Sequence, residues 1–304
     1  MEPAISALEQ QPRLGLVCIT TGPEVRYKTI TRARFLTLSP PSQASTLREL
    51  YRENLLRLFN AIAFCRNNGI GLYRATSNLF PLNDEPAGIR ELEALSPKMA
   101  SFGPTAKRFD VRVLLHPDQF VVLNSETESI NDQSVHILER HAHVFDLLGL
   151  PQTSWAAFIL HGGKGGRPAQ LVAAIHELPP SIRNRIVLEN DEYAYSAAEI
   201  LEICQRTGVP MVFDLHHHVV KEGLGTYDHP SITTLLSEAA KTWPDPAWQI
   251  VHLSNGASAF ADPDHSELIR DFPPALWMTP WVEIEAKGKE KAIAGLRQKF
   301  PDLR

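Results

Sequence analysis

Long hydrophobic runs are missing from this chain. None approaches the roughly 18 to 20 consecutive apolar residues that a helix needs to cross a bilayer, and the opening MEPAISALEQQPR sets no basic stretch before an apolar one, so neither membrane insertion nor export is expected. Cysteine is scarce too. Cys18, Cys65 and Cys204 stand far apart in apolar surroundings, which excludes a disulfide framework and points to reduced thiols in a cytoplasmic protein. A basic excess is also lacking: 30 Lys and Arg face 35 Asp and Glu, a formal net charge of −5, which weighs against a nucleic-acid partner because phosphate binding usually shows as surplus positive charge. Bound divalent cations would reverse that sign locally, so net charge alone does not name the partner. Finally, no Pro/Ser/Gly-rich linker divides the 304 residues into halves, and no GxSxG or Walker pattern occurs.

What is present centres on VPMVFDLHHHVV, residues 209–220. Residues 209–213 form an apolar run of strand length after Gly208, with Asp214 at its end and three histidines following at once. Carboxylate oxygen and neutral imidazole nitrogen are the ligand types for Zn, Mn or Fe. Taken alone, His216, His217 and His218 fit a capped surface loop about as well.

The same unit recurs along the chain. After a loose tail at residues 1–12, residues 13–18 read as the first strand, and residues 45–67 show apolar positions at helical spacing, stopped by Gly69. Short apolar strands follow at 72–75, 111–115, 156–160, 185–188, 209–213, 249–251 and 281–284. Helical segments alternate with them at 89–109, 132–148, 168–178, 196–207 and 231–241, with a weaker one before the last strand. Ser196 with Glu199 three residues on is a capping-box signature. Eight strands alternating with helices in an undivided chain predict a single α/β domain over residues 13–304, a (β/α)8 TIM barrel.

In such a barrel the carboxyl ends of all strands face one pocket. His116, His161, Glu189, Asp214, His252 and Glu285 each stand just past a strand, in six different units. Any one of them is as readily a satisfied rim residue; six at the same structural position are a site. With His217 and His265 nearby they exceed the needs of one metal and suit two or three ions sharing a carboxylate. His136, His141, His143 and His176 fall on helices away from the strand ends. The HGGKGG run at 161–166 reads as a flexible loop presenting Lys164.

These motifs together resemble the UV damage endonuclease family, chiefly its bacterial members. That family is related to the endonuclease IV type of apurinic-site nucleases. The resemblance spans nearly the whole chain: RLGLVC, ENLLRLFNAIAFCRNNGIGLYR, LLHPDQF, LHGGKGG, LENDE, DLHHH, VHLS and EAKGKE. It implies that His116, His161 and Glu189 hold one metal, that Glu189 bridges to a second held by Asp214, His252 and Glu285, and that His217 and His265 hold a third. Gln119 and Phe120 match the family's Gln-aromatic pair, which enters the duplex beside the lesion; the alternative is that residues 120–123 (FVVL) simply pack on the barrel rim. Where some members carry a modified lysine two residues before the seventh-strand histidine, this chain has Ile250.

The activity implied is a nick immediately 5′ of UV lesions in double-stranded DNA, cyclobutane pyrimidine dimers and 6-4 photoproducts, with abasic sites as further substrates. Water activated by two or three divalent ions would do the chemistry, Mn²⁺ from the family, with Zn²⁺, Fe²⁺ or Co²⁺ also compatible with the N/O ligands. Glu189 is the catalytic bridging ligand, Lys287 and Lys164 offset charge on the phosphate, and Arg26, Lys28, Arg167 and Lys289 are candidate backbone contacts. The expected enzyme is a cytoplasmic monomer that joins the nucleoid during repair. Two other readings remain open from the residues: a sugar isomerase or epimerase on the same barrel, which would explain the acidic charge, and a damage-binding protein without catalysis.

Overall fold

Strands covered on both faces need apolar side chains throughout. The computed structural model, which describes residues 11–118 and 120–303, builds eight of them: β1 (Arg13–Val17), β2 (Leu72–Ala75), β3 (Arg112–Leu115), β4 (Phe158–His161), β5 (Ile186–Glu189), β6 (Met211–Asp214), β7 (Ile250–Leu253) and β8 (Trp281–Ile284). Each pairs in parallel with its neighbour in sequence, and β8 closes on β1. The fold is the (β/α)8 barrel. Of the expected tail, residues 1–10 lie outside the described residues, as does Gln119.

Strand side chains alternate between two apolar sets, as a period of two demands. Tyr73, Val113, Leu160, Leu188, Phe213 and Val282 belong to the layer shared with the helices. Leu72, Leu114, Ile159, Val187, Val212 and Ile250 form a separate cluster inside the barrel. Two residues further along the same strands stand Arg74, His116, His161, Glu189, Asp214 and His252. The alternation that fills the barrel therefore also delivers charged groups to its carboxyl-end mouth. Gly15 makes room for this: a Cβ there would lie 2.5 Å from Leu72 Cδ2 and 3.1 Å from Glu283 Cγ.

The helices follow the local signals where these are strong. Helix Ala197–Thr207 starts on the Ser196–Glu199 capping box and stops at Gly208, whose φ is 73°. The first long helix runs Pro40–Asn67, earlier than expected, because two prolines preset its first turn. The helix expected over 89–109 is two, Pro86–Met99 and Phe102–Arg108, since Pro104 has no N–H to return to the carbonyl of Ala100. The weak helix expected before β8 is reduced to one short 3-10 stretch, Pro274–Met278. Residues 254–273 form an irregular excursion in which Asp262 and Asn255 side chains accept backbone N–H groups from Ser258, Asp264, Arg270 and Asp271, in competition with helix formation.

Candidate metal centre

At the barrel mouth, ligand-type atoms of three trios lie within 4.8 Å of one another: His116, His161 and Glu189; Glu189, Asp214 and His217; Asp214, His252 and Glu285. Glu189 and Asp214 each belong to two trios, so the six strand-end residues and His217 form one continuous cluster. Glu189 Oε2 is 3.4 Å from His116 Nε2 and 4.0 Å from His161 Nε2, while Glu189 Oε1 accepts from His252 Nδ1 at 2.9 Å. His265 stands at the edge. Its Nδ1 is 3.9 Å from Glu285 Oε2 and its ring 6.1 Å from that of His217, and it joins none of the trios.

The three consecutive histidines are the first turn of a helix, Leu215–Glu222, rather than a loop. Asp214 caps it, accepting the N–H of His217 on Oδ1 at 2.7 Å and leaving Oδ2 toward the cluster. Successive helical positions point about 100° apart, so the histidines part company. His217 faces the cluster, His216 donates to the carbonyl of Asp262 at 2.8 Å, and His218 contacts Ser231 Oγ at 2.8 Å. Only one of the three belongs to the site.

Three residues missed from sequence complete it. Arg74, the inward residue of β2, is hydrogen-bonded to Glu285 at 2.5 Å and lies 3.5 Å from Glu283. Glu283, fully buried on β8, lies 2.5 Å from His252 Nε2. Glu192, in LENDE, sits 3.5 Å from His217 Nε2. The missing signal was parity: Arg74 is two residues past Leu72 and Glu283 two before Glu285, charged groups in phase with the inward face of otherwise apolar strands.

The cluster fits divalent cations on its own terms. His116 ties Nδ1 to the carbonyl of Pro117 at 2.9 Å and turns Nε2 to Glu189; His217 ties Nδ1 to the carbonyl of Asn190 at 3.0 Å and turns Nε2 to Glu192; His252 has Nε2 at Glu283 and Nδ1 facing the cluster. Such outer partners orient metal-binding imidazoles. Buried Glu189 Oε2, Asp214 Oδ2 and His161 Nδ1 have no hydrogen-bond partner among the described residues. Four carboxylates, of Glu189, Asp214, Glu283 and Glu285, share the cluster with one guanidinium, that of Arg74, which pairs with Glu283 and Glu285, an imbalance that bound cations would relieve.

The ionisation pattern reflects the same crowding. Burial alone would raise Glu189, yet the His252, His161 and His116 imidazoles hold it well below the usual carboxylate range. Burial raises Asp214, with the neighbouring Glu189 and Glu285 carboxylates adding to it. Burial would lower His217, but Asp214, Glu189 and Glu192 lift it to about 9. His161 is lowered, because burial outweighs the pull of Glu189.

The cluster opens into a cleft of about 770 Å³ whose walls include Lys164, Tyr193, Arg74 and Asp118. Lys164 is not on a flexible loop: Asn124 accepts its N–H, and Asn124 and the Tyr195 hydroxyl donate to its carbonyl. Gly163 gives the turn its φ of 77°. Of residues 120–123, Val121 and Leu123 are buried on the rim while Phe120 is 66% exposed; Gln119 lies outside the described residues. Tyr193, also missed, is 75% exposed. Of the expected backbone contacts, Lys28 is paired with Glu53 at 2.5 Å and Arg167 with Glu126, whereas Arg26 and Lys289 make no ion pair among the described residues. Lys287 is exposed two residues past Glu285, and Ile250 lies in the apolar barrel interior, where nothing ligates.

A closed parallel barrel with a shared-carboxylate cluster at its carboxyl-end mouth defines a candidate metalloenzyme. Comparison with known proteins makes this specific. The family model described as UV-endonuclease UvdE matches residues 12–304. A UV DNA damage endonuclease of Nostoc sp. (strain PCC 7120) is 49% identical over 289 residues, covering 94% of this chain and 90% of the relative. One from Deinococcus radiodurans is 48% identical over 299 residues, covering 97% and 98%. The crystal structure of SacUVDE superposes with a TM-score of 0.81 at 25% identity, over 96% of this chain and all of that one. The chain belongs to the UV-endonuclease UvdE family and is an endonuclease of that family.

Proposed function

We propose that this protein nicks double-stranded DNA immediately 5′ of UV lesions, cyclobutane dimers and 6-4 photoproducts foremost and abasic sites in addition. The observation that carries the reading is the continuous run of ligand atoms through Glu189 and Asp214, open to a cleft whose lip bears the exposed Phe120 ring. The cluster would hold two or three divalent ions, Mn²⁺ first among them, with His265 and Glu192 closest to the third position beside His217. Such ions supply an activated water and a Lewis acid at a phosphate.

The chain's own groups prepare that chemistry. Glu189, kept ionised by three imidazoles, offers both oxygens to neighbouring trios. Glu283 fixes the ring of His252, and Arg74 fixes Glu285 while balancing part of the negative charge. Lys164, its backbone pinned on the cleft wall, offsets charge on a phosphate oxygen, and Lys287 does so from past β8. Phe120 stacks where bases have left the helix, with Gln119 beside it, and this favours DNA that is already poorly stacked. Arg26 and Lys289 hold the backbone; Lys28 and Arg167 join them only by exchanging their carboxylate partners for phosphate. No helix among the described residues is long and apolar enough to cross a membrane, in keeping with a DNA substrate met as a monomer in the cytoplasm.

The test is strand nicking of a duplex carrying one defined cyclobutane dimer, with Mn²⁺, with chelator, and with Glu189→Gln. A metal-dependent cut just 5′ of the dimer, lost in the variant and absent on undamaged duplex, is expected. Tight binding without cutting would turn the reading to a damage sensor, and neither binding nor cutting would turn it to sugar substrates.

A further inference from the structure

A second cavity, of about 820 Å³, lies at the opposite end of the barrel, among the residues that precede or begin the strands. Among the described residues its charged lining is three arginines, Arg13, Arg66 and Arg297, against one acid, Asp110, on a chain whose net charge is −5. Arg13 takes up that acid, at 2.9 Å. Arg66 and Arg297 make no ion pair among the described residues. Arg66 lies over the Phe109 ring at 4.6 Å. Among the described residues Arg297 donates only to the carbonyls of Asn68 and Gly69, at 2.6 and 2.7 Å, and its buried Nε has no partner there. Burial works against its charge, and a desolvated cation without a counter-ion favours an anion beside it. Behind the wall stands Arg112, 1% exposed and also bonded only to carbonyls, 4.6 Å from the Trp155 ring.

The remaining wall is aromatic. Trp155 and Trp248 are half-buried and pack edge to face at 5.6 Å, and Trp281 meets Trp155 at the same distance. A cation or a purely apolar guest would leave the guanidinium groups uncompensated. Guanidinium forks match phosphate oxygens, and indole faces accept any planar base. The volume suits a small ligand and excludes a duplex.

We propose that this cavity is a second binding site, separate from the metal centre, for a nucleoside monophosphate, its base against Trp155 and Trp248 and its phosphate on Arg66 and Arg297. The site implies that the enzyme senses free nucleotide at the end of the barrel remote from its cleft.

The experiment is calorimetric titration of the metal-loaded full chain with AMP, paired with tryptophan fluorescence. One saturable site is expected, with quenching, and with inorganic phosphate competing about tenfold or more weakly because it lacks the base. Arg66→Glu, at an exposed position without hydrogen bonds to lose, weakens AMP about tenfold or more and leaves nicking unchanged. Trp248→Leu removes most of the quenching, and Glu189→Gln leaves AMP affinity intact. No saturable binding at millimolar AMP would overturn the proposal. So would binding that survives Arg66→Glu, or binding lost with Glu189→Gln, which would place the nucleotide at the metal centre.

Discussion

At the carboxyl end of the barrel, Arg74 pairs with Glu283 and Glu285, while Glu189, Asp214 and Glu283 each keep an oxygen without a hydrogen-bond partner among the described residues. At the amino end, Arg112 lies among Trp155, Trp243 and Trp281 with its guanidinium spent on the carbonyls of Ser154, Trp155 and Trp248. Both are buried charge inside one barrel, on side chains of the same inward parity. The difference is satisfaction. Arg112 has carbonyl acceptors and rings on all sides, so it acts as part of the core. The carboxylates outnumber the Arg74 guanidinium and keep free lone pairs, a crowding that a bound cation would relieve.

Substitutions should separate the two ends. Arg112→Met orphans one buried and two half-buried carbonyls and should cost about 3 kcal/mol in denaturant unfolding, with nicking per folded molecule unchanged; a loss of nicking without loss of stability would erase the distinction. Glu283→Gln should do the reverse. It removes the partner that orients His252, so metal affinity and nicking should fall roughly 10- to 100-fold, measured by metal titration alongside the dimer assay, while unfolding shifts little.

The lip of the cleft offers a finer comparison. Tyr193 has its N–H held by Asp191 and its carbonyl by Lys221, both at 2.8 Å, with the ring left in solvent. Tyr193→Ala and Phe120→Ala should each weaken binding of a dimer-containing duplex about tenfold, as the loss of one stacked base does, and leave undamaged duplex binding alone. Equal loss on both duplexes would make these rings general backbone contacts.

The last effect, on stability rather than on binding, concerns a histidine outside both ends. His141 packs edge-on against Phe158, and burial lowers its pKa from 6.5 to about 4. Between those values the unfolded chain binds the extra proton, so the stability His141 contributes is complete above about pH 6.5 and is lost as pH falls toward 4. Partial exposure limits the effect to about 2 kcal/mol. His141→Phe should flatten the pH dependence of unfolding across that window; an unchanged slope would assign the proton uptake elsewhere.

How much of this was legible beforehand varies by residue. His116, His161, Glu189, Asp214, His252 and Glu285 could be named because each breaks an apolar run at its end, a one-dimensional signal. Arg74 and Glu283 lie inside their runs, and only counting by two from the inward cluster exposes them. Histidine spelling alone could not choose within DLHHH, where the helix begun by the Asp214 cap sends neighbouring side chains in different directions and only His217 joins the cluster. Phe120 was named from the resemblance to the family, but its exposure depended on Val121 and Leu123 taking the buried positions beside it.

Taken by itself, the chain determined the barrel, its undivided core and the chemical types at the strand ends, because periodicity, caps and breakers act over a few neighbouring residues. Tertiary structure alone decided which of those groups lie together in one cluster and which partner each ring nitrogen meets. It also decided which arginines at the far end lack a counter-ion among the described residues, since contacts between residues 74 and 285 or between 68 and 297 exist only once eight strands have closed on one another.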